Sequence, residues 1–260
     1  MTRFNTLLLL LWIGISLSSC SDDSNPAPKP DEPQGKGVPS GIYEIKNLEL
    51  DTSASSSGQA TTIYYSLEEN KQVPASLAQT DAWDIAFTGI YNSSLAINNG
   101  TSTLSPGYGG PGKGAVYLIK DSAIDAEYYN APGKPLKKAP PHTLFDLAFD
   151  KVHKVSISDE KFLTGQLGLD HFDGSGDGWA YYDFYNDMYP ERPDEEKAHV
   201  VYPMPRTLLI RTARGNYAKL IVYSMYKDAP EDPDRSHQPG YLTFTYAIQK
   251  DGSKNLDLAK

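Results

Sequence analysis

Residues 207–223 read TLLIRTARGNYAKLIVY, two runs of strand-forming residues separated by a glycine-asparagine pair. The runs are rich in β-branched and aromatic residues, which favour strands because their side chains pack well on a pleated surface. Gly215 and Asn216 stand at the point of reversal, where a tight turn requires backbone conformations that few other residues adopt. This stretch therefore predicts an antiparallel β-hairpin.

Similar strand-like runs recur through most of the chain after residue 40. They span residues 42–48, 62–67, 84–87, 94–97, 115–119 and 240–248. One short helix is predicted, over about residues 121–128, and no repeat of fixed period is present. The sequence therefore predicts a single all-β domain over residues 41–260, mostly antiparallel and with long loops.

The first 40 residues differ in composition and predict export followed by anchoring. A basic start and an apolar run precede the sequence LSSC, so residues 1–19 are predicted to be a signal peptide. Cys20 is the only cysteine of the chain, and LSSC resembles the bacterial lipobox, whose cysteine is lipidated. Residues 20–40 then predict a lipidated cysteine and a disordered tether rich in proline, glycine and charge. The acidic pair after the cysteine is similar to the one that marks surface export in lipoproteins of the Bacteroidetes type, which implies an outer membrane lipoprotein exposed at the cell surface.

Composition and motifs argue against several classes of function. The net charge of -9 offers no basic stripe for a nucleic acid partner. The five histidines lack the spacing of a metal-binding motif, and no nucleophile elbow is present. Residues 170–178 resemble a calcium loop only faintly, and the glycine run of residues 107–114 is typical of a loop. We therefore expect a binding protein and not an enzyme.

The aromatic segment of residues 179–190 is the most unusual stretch of the chain. It holds six aromatic residues and a methionine within twelve positions. Such a segment suits the wall of an apolar pocket for a flat ligand. It also suits a strand with two half-buried faces and its exit turn, and the sequence leaves both interpretations open.

Several segments, taken in order, resemble the HmuY-like haemophore family, the haem-capturing surface lipoproteins of Bacteroidetes. The resemblance is carried by DAWDIAF at 81–87, GKGAVY at 112–117, GW at 178–179, HVVYPMP at 199–205, LIRTARGNYAKL at 209–220 and GYLTFTY at 240–246. It implies an all-β fold whose loops hold haem, with two histidine or methionine side chains as axial ligands of the iron. It also implies that the protein takes haem from host haemoproteins and delivers it to a TonB-dependent outer-membrane receptor.

The resemblance also indicates ligand positions. In the family one ligand lies five residues after the tryptophan of the Gly-Trp motif, and here that position is Phe184, which cannot bind iron. We therefore predict Met188 as its substitute and His153 as the second iron ligand. His199 is a further haem-binding candidate because it lies in a segment that matches the family. His171 and Met204 are the other candidate donors.

Two alternatives to a haemophore remain. In the first alternative, the chain is a non-haem member of the same fold that binds another apolar ligand or a partner, as Phe184 suggests. In the second, it is a glycan-binding lipoprotein, in keeping with its 18 tyrosines and its many carboxylates.

Overall fold

A computed structural model describes residues 37–52, 60–170 and 176–259. The predicted signal peptide, Cys20, most of the tether and His171 lie outside these residues. Gly35–Lys260 form one compact unit. None of the helices in the described part of the chain has the length and apolar character needed to cross a membrane.

Short strands joined by turns and long loops make up most of the structure. The strands are β1 (Gly41–Glu49), β2 (Ile63–Ser66), β3 (Lys71–Val73), β4 (Ile85–Thr88), β5 (Ser94–Ile97), β6 (Ala115–Leu118), β7 (Gln166–Leu167), β8 (Ala180–Asp183), β9 (Val200–Pro203), β10 (Leu208–Arg211), β11 (Tyr217–Tyr226) and β12 (Pro239–Gln249). The α-helices are α1 (Ser122–Tyr128), α2 (His142–Asp150) and α3 (Asp194–Lys197).

Two five-stranded antiparallel sheets form the body of the domain. The strand order is β1-β12-β11-β10-β6 in the first sheet and β3-β2-β4-β5-β7 in the second. The sheets share the main hydrophobic core, in which Phe244 of β12 packs edge-on against Tyr65 of β2, with ring centroids 5.5 Å apart. Strands β8 and β9 pair separately as a two-stranded sheet.

The hairpin predicted at residues 207–223 is confirmed as β10 and β11, with Leu208 opposite Leu220. Gly215 adopts a φ of 96°, a left-handed conformation that side chains other than glycine rarely allow. The turn is anchored by Asp84, a buried side chain whose Oδ1 accepts the N–H of Ala213 at 3.0 Å. The hairpin thus joins the first sheet to the second.

The prediction of a mostly antiparallel all-β fold is confirmed, and so is the short helix, now α1. The glycine run of residues 107–114 forms a loop, as expected. A Cβ atom on Gly112 would meet Oδ1 of Asn98 at 2.2 Å, so this loop packs too closely for side chains. Helix α2 was not predicted, because its nine residues carry the apolar pattern for little more than two turns.

Candidate functional site

Residues 184–199 connect β8 to β9 and carry most of the unusual aromatic segment. The buried carboxylate of Asp183 fixes the start of this connection. It accepts the backbone N–H of Asp187 at 2.8 Å and that of Met188 at 3.1 Å. Asn186 is buried too and has a φ of 61°, which asparagine tolerates better than most residues. The segment is therefore both the strand β8 and an ordered exit from it.

His199 lies at the far end of the same connection. Its backbone N–H donates to the carbonyl oxygen of Asp183 at 2.7 Å, so the two ends of the connection meet. The residue is exposed and has a φ of 63°, a conformation in which histidine is enriched. Nδ1 lies 2.8 Å from the hydroxyl of Tyr182. Nε2, the other ring nitrogen, is then the one placed to meet a ligand.

Five side chains form what we call the aromatic surface: Tyr91, Tyr182, Phe184, Tyr185 and His199. The ring centroid of Phe184 lies 4.5 Å from that of His199 and 4.6 Å from that of Tyr185. Tyr185 is 69 % exposed and Tyr91 47 % exposed. Large aromatic side chains clustered at such exposure are typical of binding surfaces and not of a solvated loop.

The turn that carries Tyr91 is held beside β8. The indole Nε1 of Trp179 donates to the carbonyl of Ser93 at 3.0 Å. Burial raises the pKa of the Tyr182 hydroxyl above its ordinary value, the neighbouring Tyr91 raises it further, and the charge of Arg235 acts in the opposite direction. The positive charge of Arg235 therefore acts on the Tyr182 hydroxyl.

Met188 and His199, two of the predicted donors, thus share one connection. Met188 is half-buried and packs against the main core. Met204 is buried within that core, and its backbone N–H donates to the carbonyl of Trp179 at 3.1 Å. Asp170, which begins the suggested calcium loop, accepts the hydroxyl of Tyr129 at 3.0 Å, while residues 171–175 lie outside the described residues.

His153 lies elsewhere, just after α2. Its side chain is 66 % exposed, and its Nδ1 lies 3.6 Å from a carboxylate oxygen of Asp257. It lines a groove of about 330 Å³ together with Lys151, Val152 and Thr207. This groove brings a histidine to apolar and basic neighbours, but its lining contains no aromatic ring apart from the imidazole.

A larger groove, of about 480 Å³, lies between β1 and α2. Its lining includes the carboxylates of Glu44, Asp146 and Asp228 beside the ring of Tyr223. Such a lining disfavours an anionic ligand. Among the described residues, no group of three or more histidine and carboxylate side chains is arranged to hold a metal ion.

The chemistry of the aromatic surface suits a flat apolar ligand that carries a metal. Exposed aromatic rings can stack on the face of such a ligand, and an imidazole nitrogen can donate to its metal. Sequence reasoning had identified Phe184, Met188 and His199 separately. It missed Tyr91, because 90 residues separate it from Tyr182 and no local pattern marks the influence of one on the other.

Three solved structures were found to be similar over most of the chain. The first is a Bacteroides vulgatus protein described as HmuY-like and haem binding, which is 13 % identical over 78 % of this chain and 97 % of that chain, with a TM-score of 0.33. The second is apo PinO from Porphyromonas gingivitis, which is 12 % identical over 80 % of this chain and 97 % of that chain, with a TM-score of 0.34. The third is the apo HmuY analog of Tannerella forsythia, which is 13 % identical over 81 % of this chain and 97 % of that chain, with a TM-score of 0.29. Such TM-scores are too low to transfer geometry to this chain.

Searches with the whole chain found no match among curated proteins. The family comparison gave a definite result. The sequence model described as HmuY protein matches residues 58–246, well over half of the chain. The matched range runs from just before β2 to within β12 and includes every segment that carried the resemblance at 81–246. The chain therefore belongs to the HmuY family.

Proposed function

We propose that the protein binds haem on the aromatic surface and that Nε2 of His199 is an axial ligand of the iron. One observation carries this proposal. The imidazole of His199 packs on Phe184, the position at which the family resemblance places a ligand, with ring centroids 4.5 Å apart. The sequence has phenylalanine at that position, and the side chain of His199, at the other end of the connection, packs against it.

Haem supplies a ferric or ferrous centre that accepts two axial donors. For Nε2 of His199 to donate to a metal, the ring proton must sit on Nδ1. The Tyr182 hydroxyl at 2.8 Å then accepts that proton in a hydrogen bond. Such a partner fixes both the tautomer and the plane of a ligating imidazole. Tyr182 therefore orients His199.

The rings supply the second contribution to affinity. Apolar surface removed from water contributes about 25 cal/mol per Å², so covering about 200 Å² of a porphyrin face offers about 5 kcal/mol before ordering costs. Phe184 and the exposed Tyr185 are placed to provide that cover. Arg235 is exposed, its charge acts on Tyr182, and we propose that it meets a propionate.

We propose Met188 as the second axial donor. Its backbone is held by Asp183, the residue that also binds the backbone of His199. A thioether and an imidazole on one connection are a donor pair that haem proteins use. His153, the other predicted ligand, remains the competing proposal, with its groove beside α2.

Strand β1 separates the aromatic surface from the point at which the chain enters the domain. At the entry, the N–H of Val38 donates to the carbonyl of Glu68 at 2.9 Å. Beyond the other end of β1, the N–H of Asp51 donates to the side chain of Asn92 at 3.1 Å, beside Tyr91. The nine residues of β1 span at most about 30 Å, since the strand carries a bulge between Ile45 and Leu48. The described chain thus enters the domain at the end of β1 opposite the aromatic surface.

This arrangement supports a haemophore that binds and releases haem without turning over a substrate. The accessible surface would take haem from host haemoproteins and pass it to a TonB-dependent receptor in the outer membrane. A non-haem apolar ligand and a glycan are the alternatives that the following test separates.

The test is a haemin titration of residues 35–260, the compact unit, followed by absorption spectroscopy. We expect a Soret band of six-coordinate iron. His199→Asn keeps a residue that tolerates positive φ but removes the imidazole. It should lower haemin affinity at least about tenfold, or 1.4 kcal/mol. His153→Asn should leave the affinity unchanged.

Two results would contradict the proposal. A folded wild-type domain without a spectral change at micromolar haemin would exclude haem binding. A loss confined to His153→Asn would move the iron to the groove beside α2.

A further inference from the structure

We infer that Lys197 is a positioning residue: it ties the connection between β8 and β9 to the loop between β11 and β12 and so fixes the backbone that presents His199. The inference deepens the proposed function and rests on it for the consequence in haem binding. Its structural part, that Lys197 holds His199 in place, concerns the protein alone.

The Lys197 side chain is fully buried, which is rare for a lysine. Its Nζ donates to Oδ1 of Asp232 at 2.6 Å and to the carbonyl of Pro233 at 2.9 Å. It also lies 4.6 Å from the ring centroid of Tyr189 and 5.9 Å from that of Tyr202. Tyr189 belongs to the same connection as Lys197. Asp232 and Pro233 lie in the loop between β11 and β12, and Tyr202 lies in β9.

Lys197 is one of three ties that act on the last turn of the connection. The carbonyl of Glu196 accepts the N–H of Arg235 at 2.9 Å, on the same loop as Asp232. Two residues after Lys197, the N–H of His199 binds Asp183. With Lys197 and His199 both held and only Ala198 between them, the left-handed backbone of His199 is held on both sides.

A buried charge keeps its position more strictly than an exposed one, because leaving its partners costs the desolvation of the ammonium without compensation. Asp232 by contrast is half-exposed, with 47 % of its side chain accessible. The lysine is therefore the end of the pair that determines where the connection lies. Removing it takes the buried tie from the last turn of the connection, while the hydroxyl of Tyr189 still donates to Oδ1 of Asp232 at 3.3 Å.

Lys219 provides a matched control in the same chain. It is buried as well, with Nζ 2.9 Å from the carbonyl of Phe149, 2.8 Å from that of Val152 and 4.2 Å from the Phe149 ring centroid. Burial lowers its pKa. It ties the end of α2, next to His153, and has no contact with the connection that carries His199.

The experiment compares Lys197→Met with Lys219→Met in residues 35–260. The first measurement is the NMR signal of the His199 imidazole without haem. We expect it to shift and broaden in Lys197→Met and to stay as in wild type in Lys219→Met. The second measurement is haemin titration, in which only Lys197→Met should lose about tenfold in affinity and gain high-spin iron.

Asp232→Asn is a milder second variant, because its side chain reaches solvent and the domain should tolerate it. It should give part of both effects, and it serves as the test if Lys197→Met does not fold. An unchanged His199 signal in the folded variants would overturn the inference, as would equal effects in Lys197→Met and Lys219→Met. Failure of wild type to bind haemin would overturn only the proposed function, since the imidazole signal is read without haem.

Discussion

The turn between β10 and β11 and the connection between β8 and β9 are anchored in the same way but differ in what surrounds them. Each is held by a fully buried aspartate that accepts backbone N–H groups. Asp84, which precedes β4, holds the turn, and Asp183, the last residue of β8, holds the connection. The turn occupies five residues and is drawn into the junction of the two sheets. The connection occupies sixteen residues and presents aromatic rings to solvent.

The residues that identify the family and the residues proposed to bind haem therefore lie in different places. The motifs that identify the family, Trp-Asp and Gly-Asn-Tyr, meet at the turn. Asp84 accepts N–H groups from Leu67, Glu68 and Ala213. Glu68 in turn accepts the hydroxyl of Thr212 at 2.6 Å and the side-chain amide of Asn216 at 3.0 Å. These motif residues hold the two sheets together, while the candidate ligands lie outside the junction.

The largest expected effect tests the turn. Asp84→Ala leaves three backbone donors without their acceptor in a buried place, and each costs roughly 1 kcal/mol or more. We expect the free energy of unfolding, measured in urea at pH 5, below the raised pKa of Asp84, to fall by about 3 kcal/mol. The haemin affinity of the molecules that remain folded should not change. A loss of affinity without a loss of stability would break the comparison.

Next is the pH dependence of the same site. Burial raises the pKa of Asp84 from 3.8 to about 6, and the charge of Glu68 adds to this. The folded state therefore binds the proton more tightly than the unfolded state. This tighter proton binding adds to the free energy of unfolding. Its contribution is complete below pH 3.8 and is lost as the pH rises through 6, and it amounts to a total on the order of 3 kcal/mol.

Asp84→Asn, which has no titrating proton, provides the reference for this measurement. The free energy of unfolding of wild type, minus that of Asp84→Asn, should decrease from pH 4 to pH 7. A difference that is constant or rises with pH would show that Asp84 does not titrate in this window.

The smallest effect sharpens the other side of the comparison. Tyr182→Phe removes the hydroxyl that orients His199 but keeps the ring. The stability should change by less than about 1 kcal/mol, since the lost hydrogen bond lies in an exposed position. Haemin affinity should fall roughly tenfold, as is usual when the partner of a metal-bound histidine is removed. An unchanged affinity would mean that Tyr182 does not orient the imidazole.

Much of the fold was predictable because its signals are local. Alternating strand-forming residues marked the strands of both large sheets except the shortest, and Gly215 marked the hairpin turn. Strands β3 and β7 have three and two residues, too few for a pattern. Helix α2 was missed for a similar reason, since its apolar face is short and its stability comes from packing, as where Phe145 stacks on Tyr223 with ring centroids 5.4 Å apart.

The sequence alone determined the strand pattern, the family and the kinds of donor available, because periodicity, motif order and residue type are all written locally in the chain. Tertiary structure alone decided where each donor lies. It packed His199 against Phe184 and Met188 against the main core, and it left His153 beside α2. The physical reason is that these contacts depend on buried anchors such as Asp183 and Lys197, whose partners lie up to 36 residues away along the chain.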